Sequence, residues 1–292
     1  MKHAAPVDNQ RGALLLVAAA AVFTADVTLL RYLGPEVPFG QIVFFRSFLQ
    51  LVIVALWIAA KSGLRYGSPR WRMLVVRGVT SLVCWWLYYA SFQRLEIALA
   101  STLTFTTSLF VVVMAPFVLG EKIGWSRGLA TLFGFAGVVL ASGATDLQMK
   151  PGVLLGLGSA FAAAILIFQN RVLARTEQTA TIMFWIGLVA TIGTAPGAAL
   201  DWASLNPRDL AILVLASTLA TLGMLLTVEA YRYGEVSALA PFPYARILFA
   251  LGAGYLLFAE TVSLAELLGA GMIVACGLLA GAAIDHRRTR SR

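Results

Sequence analysis

Charge, histidine and cysteine are all scarce in this chain, and each scarcity removes a class of function. Only 12% of the residues are charged, against about 25% in an ordinary soluble domain. A surface so poor in charge cannot face water on all sides. The two histidines, His3 and His286, lie in the terminal tails. The apolar body of the chain therefore has no histidine to act as an acid, a base or a metal ligand. The two cysteines, Cys84 and Cys276, stand alone inside apolar runs, with no CxxC or Cys/His spacing. Neither a disulfide framework nor a metal site is indicated. No Walker-type phosphate loop occurs, so ATP is not expected to drive the protein directly, and no cofactor is expected. An intramembrane enzyme would need a cluster of acid, base or nucleophilic groups, and deep carboxylates are few. Loops long enough to carry a partner-binding module are missing too, which argues against a receptor or assembly factor.

What the chain has is grease in long runs. Apolar residues make up 60% of the 292, and the mean hydropathy is +0.84. Ten stretches are long enough to cross a bilayer of about 30 Å: 12–33, 38–60, 71–92, 96–119, 125–143, 151–171, 179–199, 208–231, 236–258 and 264–284. The first exceeds a signal-peptide core and reads as helix one. One membrane domain covering 1–292 follows, with the lipid bilayer as its surroundings. The net charge of +8 does not indicate nucleic acid, because the basic residues sit in short gaps between apolar runs.

Those basic residues sort by side. With both termini and the even-numbered loops taken as one side, that side holds 15 Lys and Arg, against 4 (Arg31, Arg94, Lys150 and Arg208) on the other. The positive-inside rule then puts both termini in the cytoplasm.

The chain also repeats. A shift of 140 residues brings Gly12-Ala13-Leu14-Leu15 onto Gly152-Val153-Leu154-Leu155, and Arg31-Tyr32-Leu33 onto Arg171-Val172-Leu173. It also brings Phe44-Phe45 onto Phe184-Trp185, and Ala98-Leu99-Ala100 onto Ala238-Leu239-Ala240. The units are 12–143 and 151–284. Each holds five helices, an odd number, so the second must be inverted. The expected fold is all-α: ten transmembrane helices as two inverted five-helix repeats. Such repeats belong to secondary transporters, whose sites lie near the midplane between them.

Candidate site residues follow from the cost of polar groups in lipid. Arg246 lies about 15 Å into span nine at 1.5 Å per residue, close to the midplane. It follows Pro241-Phe242-Pro243-Tyr244, where two prolines kink the helix and free carbonyls. A planar guanidinium there suits a carboxylate, with Tyr244 beside it; the alternative is a structural arginine. Asp26 and Arg46 lie at similar depths, about 10 and 12 Å from the outer face, and suggest an ion pair. Asp26 is also the most plausible deep protonation site. Arg77, about 9 Å from the cytoplasmic side, can snorkel. Span four carries Ser101, Thr102, Thr104, Thr106, Thr107 and Ser108, with Thr106 opposite Arg246 at the repeat shift. These hydroxyls read as a polar cavity wall, with back-bonding to their own helix as the alternative. Trp85, Trp86, Tyr88 and Tyr89 form either an interfacial belt or an aromatic wall, and Trp85 and Tyr89 are the candidates for stacking on a substrate. Gln169 and Asn170 end span six and read as interfacial, as does a Glu229–Arg232 pair.

Gly120-Glu121-Lys122 precedes a helix with Gly128, Gly134, Phe135 and Gly137-Val138, and Ala259-Glu260 precedes one with Gly269, Gly271 and Gly277. In this pattern the chain resembles the ten-helix, two-EamA-domain members of the drug/metabolite transporter superfamily over residues 11–285. The resemblance implies an exporter or exchanger of small metabolites, multi-pass in the cell membrane of a bacterium (the inner membrane), most similar to the amino-acid exporter branch. Multidrug or nucleoside export is the alternative. Glu121 and Glu260 read as caps at tight turns, where a helix start favours a carboxylate. The glycines allow close helix approach, as scaffold or as homodimer contacts through helices five and ten.

Overall fold

The structure is a computed structural model that describes residues 8–34, 36–92, 94–95, 97–121, 124–142, 151–259 and 261–290. Every regular element among them is helical, as it must be where lipid offers the backbone no partner. We number ten rods. α1 is Asn9–Leu30, α2 Phe39–Ala60 and α3 Trp71–Phe92. α4 is broken into Ile97–Phe105 and Thr107–Leu119, and α5 is Trp125–Ser142. α6 is Pro151–Ala174, α7 Thr179–Leu200 and α8 Pro207–Tyr233. α9 is broken into Val236–Leu239, a 3-10 turn at Phe242–Tyr244, and Ala245–Phe258; α10 is Leu264–Arg290.

By length and composition seven of these can cross a membrane unaided: α1, α2, α6, α7, α8, and the spans Thr102–Leu119 and Val236–Phe258. α5 and α10 are apolar over shorter windows, Trp125–Ala141 and Leu264–Ala280. α3 is long enough but carries Arg72 and Arg77.

The ends are set by local chemistry. Asp8 accepts the N–H of Arg11 at 3.1 Å and caps α1. Asn206 accepts the N–H of Asp209 at 2.8 Å, with Pro207 supplying the first helical residue of α8, where its missing N–H costs nothing. Ser263 and Glu266 form a reciprocal capping box before α10, at 2.6 and 3.2 Å.

The breaks have different causes. In α9, Pro241 and Pro243 cannot donate, and the ladder is replaced by the Tyr244 N–H on the Pro241 carbonyl at 3.2 Å. α4 has no proline at its break. There both the N–H and the hydroxyl of Thr106 turn to the Leu103 carbonyl, at 3.1 and 2.6 Å, so the side chain competes with the helix.

The most extensive pairings are α1 with α8, α3 with α6, α2 with α7 and α5 with α10. Exchanging helix n with helix n+5 turns the first pairing into the second and leaves the other two unchanged. The exchange holds for individual contacts. Gln41, at the start of α2, clasps Ala203 in the loop after α7, donating to its carbonyl at 3.0 Å and accepting its N–H at 3.1 Å. Thr181, at the start of α7, donates to the Arg65 carbonyl in the loop after α2 at 2.6 Å. Phe44 meets Trp202 edge-on at 6.1 Å, and Phe184 meets Tyr66 edge-on at 5.0 Å.

α5 and α10 meet through glycine. A Cβ on Gly137 would stand 2.8 Å from the Gly269 carbonyl, and one on Gly269 would stand 2.5 Å from the Gly137 carbonyl. That approach is what small residues permit, and here it is made within one chain.

Candidate functional site

Asp26 on α1 is fully buried, and its Oδ2 lies 2.6 Å from Nη2 of Arg46 on α2. The ion pair expected from matching depth is present. Arg246 enters the same neighbourhood from α9, immediately after the proline-built turn. It lies within electrostatic range of Asp26, Arg46 and Tyr88, and its guanidinium stands 5.9 Å from the ring of Phe23. Arg246 is nonetheless exposed, so it faces open space inside the helix array. Two cations and one anion converge there, an arrangement with one positive charge in excess and a bidentate donor turned to the opening.

The other expected site residues separate from this cluster or stand at its edge. Trp85 on α3 is 38% exposed, half available to the surroundings. Tyr89 lies in α3, but its side chain is outside the described residues. Its neighbour Tyr88, named in the same aromatic group but not among the two stacking candidates, is the aromatic that reaches Arg246. A signal existed: Tyr88 continues the stripe Arg77, Ser81, Cys84 along the face of α3 that meets α6.

Tyr244 requires a correction. It is fully buried, its hydroxyl donates to the Thr131 carbonyl at 3.2 Å, and its ring is close to Gly134 of α5. It packs the kink of α9 onto the scaffold, away from the open space around Arg246. Thr106 also departs from the expected cavity wall: it is buried and closes the α4 break. Thr107 donates to the Ala160 carbonyl of α6 at 3.1 Å and Thr102 is buried, so the hydroxyls of Thr106 and Thr107 serve backbone groups.

Arg77 does not snorkel. It is 2% exposed, donates from Nε to Asn170 Oδ1 at 2.9 Å, and bonds Ser81 through Nη1. Asn170 is therefore buried in the α3–α6 seam and not interfacial. The seam continues through Cys84 and Ser159, with the Ser159 hydroxyl on the Cys84 carbonyl at 2.9 Å, to Ser91 on the Gly152 carbonyl at 2.9 Å.

Glu121 is a cap, but for a distant helix. Its two carboxylate oxygens accept the N–H groups of Val236 and Ser237, each at 2.9 Å, at the start of α9. The corresponding Glu260 lies outside the described residues. Glu229 and Arg232 pair at 3.4 Å.

An all-helical array, exchange-related pairings and a charged cluster at the crossing of α1, α2 and α9 frame the comparisons with known proteins. The EamA-like transporter family matches the chain twice, over residues 10–143 and 150–280. The chain belongs to the EamA-like transporter family. A crystal structure matches this EamA-like transporter at a TM-score of 0.77 and 19% identity, covering 96% of this chain and 99% of the other, which shows the shared fold. An S-adenosylmethionine uptake transporter of Rickettsia bellii is 25% identical, with 86% of each chain covered. The pseudopaline exporter CntI of Pseudomonas aeruginosa is 26% identical over 90% of this chain and 93% of its own. A riboflavin transporter of Vibrio cholerae is 24% identical, with 90% of each covered. The protein is a multi-pass protein of the bacterial cell membrane and a transporter of small metabolites.

Proposed function

We propose that this transporter moves small carboxylate-bearing metabolites, amino acids first and aromatic ones among them, as an exporter or exchanger working by alternating access. The observation that carries the reading is Arg246: deep in its span, exposed to interior space, and next to the Asp26–Arg46 pair. Asp26 already engages Arg46, so the guanidinium of Arg246 keeps donors for a substrate carboxylate. Tyr88 and Trp85 offer aromatic faces on α3 to a ring-bearing side chain. The cationic end of a zwitterion would be received by these faces or by Asp26. The relatives named above support the size and variety of the cargo and leave its direction open, since one is named for uptake and another for export.

Counterflow of labelled amino acids in proteoliposomes tests the reading. Arg246→Ala is expected to lower uptake at least about tenfold, the worth of one charge-assisted hydrogen bond, with Arg246→Lys in between. Transport that survives Arg246→Ala intact removes the carboxylate receiver. A wild type inactive on amino acids but active on neutral or cationic drugs moves the protein to multidrug export.

A further inference from the structure

The exchange of halves gives the corner between α2 and α3 a counterpart, the corner between α7 and α8. The counterpart is short, residues 201–206, and has no lysine or arginine. The α2–α3 corner runs over 61–70 and carries Lys61, Arg65 and Arg70 with no acid. Both corners make an edge-on aromatic contact and a side-chain hydrogen bond to the opposite half. Closing the corner therefore does not account for the added length and charge.

The longer corner is fixed in place by its backbone. Gln178 holds it at two points, donating to the Gly63 carbonyl at 2.8 Å and accepting the Arg65 N–H at 3.1 Å. Tyr66 folds back along α2, its hydroxyl donating to the Ala55 carbonyl at 2.9 Å, and Trp185 donates to the Tyr66 carbonyl at 2.9 Å. Ala55 precedes the end of α2 at Ala60 by about 7.5 Å of helical rise. The corner thus lies against the ends of the spans and not clear of them. The rings of Tyr66 and Trp71 stay exposed, as aromatic residues at the lipid–water boundary do. The distribution of basic residues assigns this corner to the cytoplasmic side.

Between it and the α6–α7 turn lies a cavity of about 530 Å³. Its charged lining is Arg65, Arg70 and Glu177. Among the described residues no hydrogen bond or ion pair engages the Arg65 guanidinium or the Glu177 carboxylate, and Arg70 gives one Nη to Thr176 at 3.3 Å. Two guanidinium groups with donors to spare suit a phosphate. The carboxylate in the same cavity disfavours a simple anion and suits an ammonium carried beside the phosphate. Exposed Lys61, Arg72 and Arg175, at the neighbouring ends of α2, α3 and α6, add attraction toward a phosphate-bearing membrane surface.

We infer that this cavity binds the headgroup of a cytoplasmic-leaflet lipid carrying both a phosphate and a primary amine, of the phosphoethanolamine type. The phosphate is received by Arg65 and Arg70 and the ammonium by Glu177. The headgroup then bridges the α2–α3 corner of the first repeat and the α6–α7 turn of the second. The inference rests on no particular cargo and on no direction of transport.

Native mass spectrometry of the full-length protein, stripped of lipid in detergent, tests this. It is titrated with phosphatidylethanolamine, phosphatidylglycerol or soluble phosphoethanolamine. The wild type is expected to bind phosphatidylethanolamine about tenfold more tightly than phosphatidylglycerol, the worth of one charge-assisted hydrogen bond. Arg65→Ala with Arg70→Ala should weaken phosphatidylethanolamine by at least about tenfold. Both side chains are exposed, and the backbone bonds of the corner survive the change. Glu177→Gln should abolish the preference between the two lipids. Lys61→Ala with Arg175→Ala removes the same charge from the same side but not from the cavity lining, and should leave binding unchanged. Four results overturn the proposal: a wild type that prefers phosphatidylglycerol, a preference that survives Glu177→Gln, binding weakened equally by the two double variants or by neither, and binding of soluble phosphoethanolamine without the lipid.

Discussion

Arg77 is a cation carried deep into the helix array on neutral partners. Desolvating a guanidinium costs several kcal/mol unless its donors are met. Among the described residues no carboxylate pairs with it; Asn170 Oδ1 at 2.9 Å and Ser81 do the work. Removing the asparagine leaves a buried charge short of an acceptor. Asn170→Ala is therefore expected to lower stability by about 3 kcal/mol, seen as a fall in the midpoint of thermal unfolding in detergent followed by tryptophan fluorescence. Adding Arg77→Leu should recover part of that loss, since no orphaned charge remains. A double variant less stable than Asn170→Ala alone would show that Arg77 contributes more than it costs. The sequence points to Arg77 by its depth and misses its neighbours. The depth of Asn170 along α6 suggests the interface, and only the antiparallel packing of α6 on α3 reveals that the residue faces inward. The Asp26–Arg46 pair is legible because both members sit at matching depth on consecutive helices. No such rule links α3 to α9, and the sequence therefore names Tyr88 in an aromatic group without placing it beside Arg246.

At the scale of elements, positions that superimpose under the repeat carry different residues for the same backbone. α4 ends at Gly120 with φ of 65°, and α9 ends at Ala259 with φ of 52°. Both are left-handed, which glycine adopts freely and alanine adopts at a cost of about 1 kcal/mol. Ala259→Gly is expected to stabilise the protein by up to about 1 kcal/mol, because the relieved strain exceeds the added freedom of the unfolded chain. Gly120→Ala should cost a similar amount. The two variants shifting the unfolding midpoint in the same direction would contradict this. The Gly/Ala-Glu signal in the sequence marks these corners correctly, and Glu121 is indeed a cap. Its client, the start of α9, lies 115 residues away, and a cap across that separation leaves no local trace. The same limit applies to the two broken helices. Prolines announce the kink in α9, whereas the break in α4 depends on whether Thr106 prefers its own backbone to a cavity, and the hydroxyl run alone leaves both open.

For the whole molecule, the exchange of halves sorts contacts into those that must move and those that need not. In the alternating-access cycle proposed above, the second state is the first with the halves interchanged, and a contact present in both exchanged forms, such as Gln41 with Ala203 and Thr181 with Arg65, is compatible with either. A packing without a counterpart of the same extent among the described residues, such as that of α6 on α8, is expected to break in that cycle. The α2–α7 pairing, which the exchange leaves unchanged, is then the axis about which the rest turns. Cross-linking separates the two kinds. A short flexible bis-thiol reagent across Gln41→Cys and Ala203→Cys should leave counterflow near the level of the uncross-linked protein. The same reagent across Arg175→Cys at the end of α6 and Tyr233→Cys at the end of α8 should stop it, with activity restored when a cleavable reagent is reduced. Inhibition at the first pair would place motion within the α2–α7 axis, and free transport at the second would mean that the α6–α8 closure never opens. The contrast is argued from the exchange of halves and its largest breach, the α6–α8 packing that α1 and α3 do not match among the described residues, so it applies whichever small metabolite is carried.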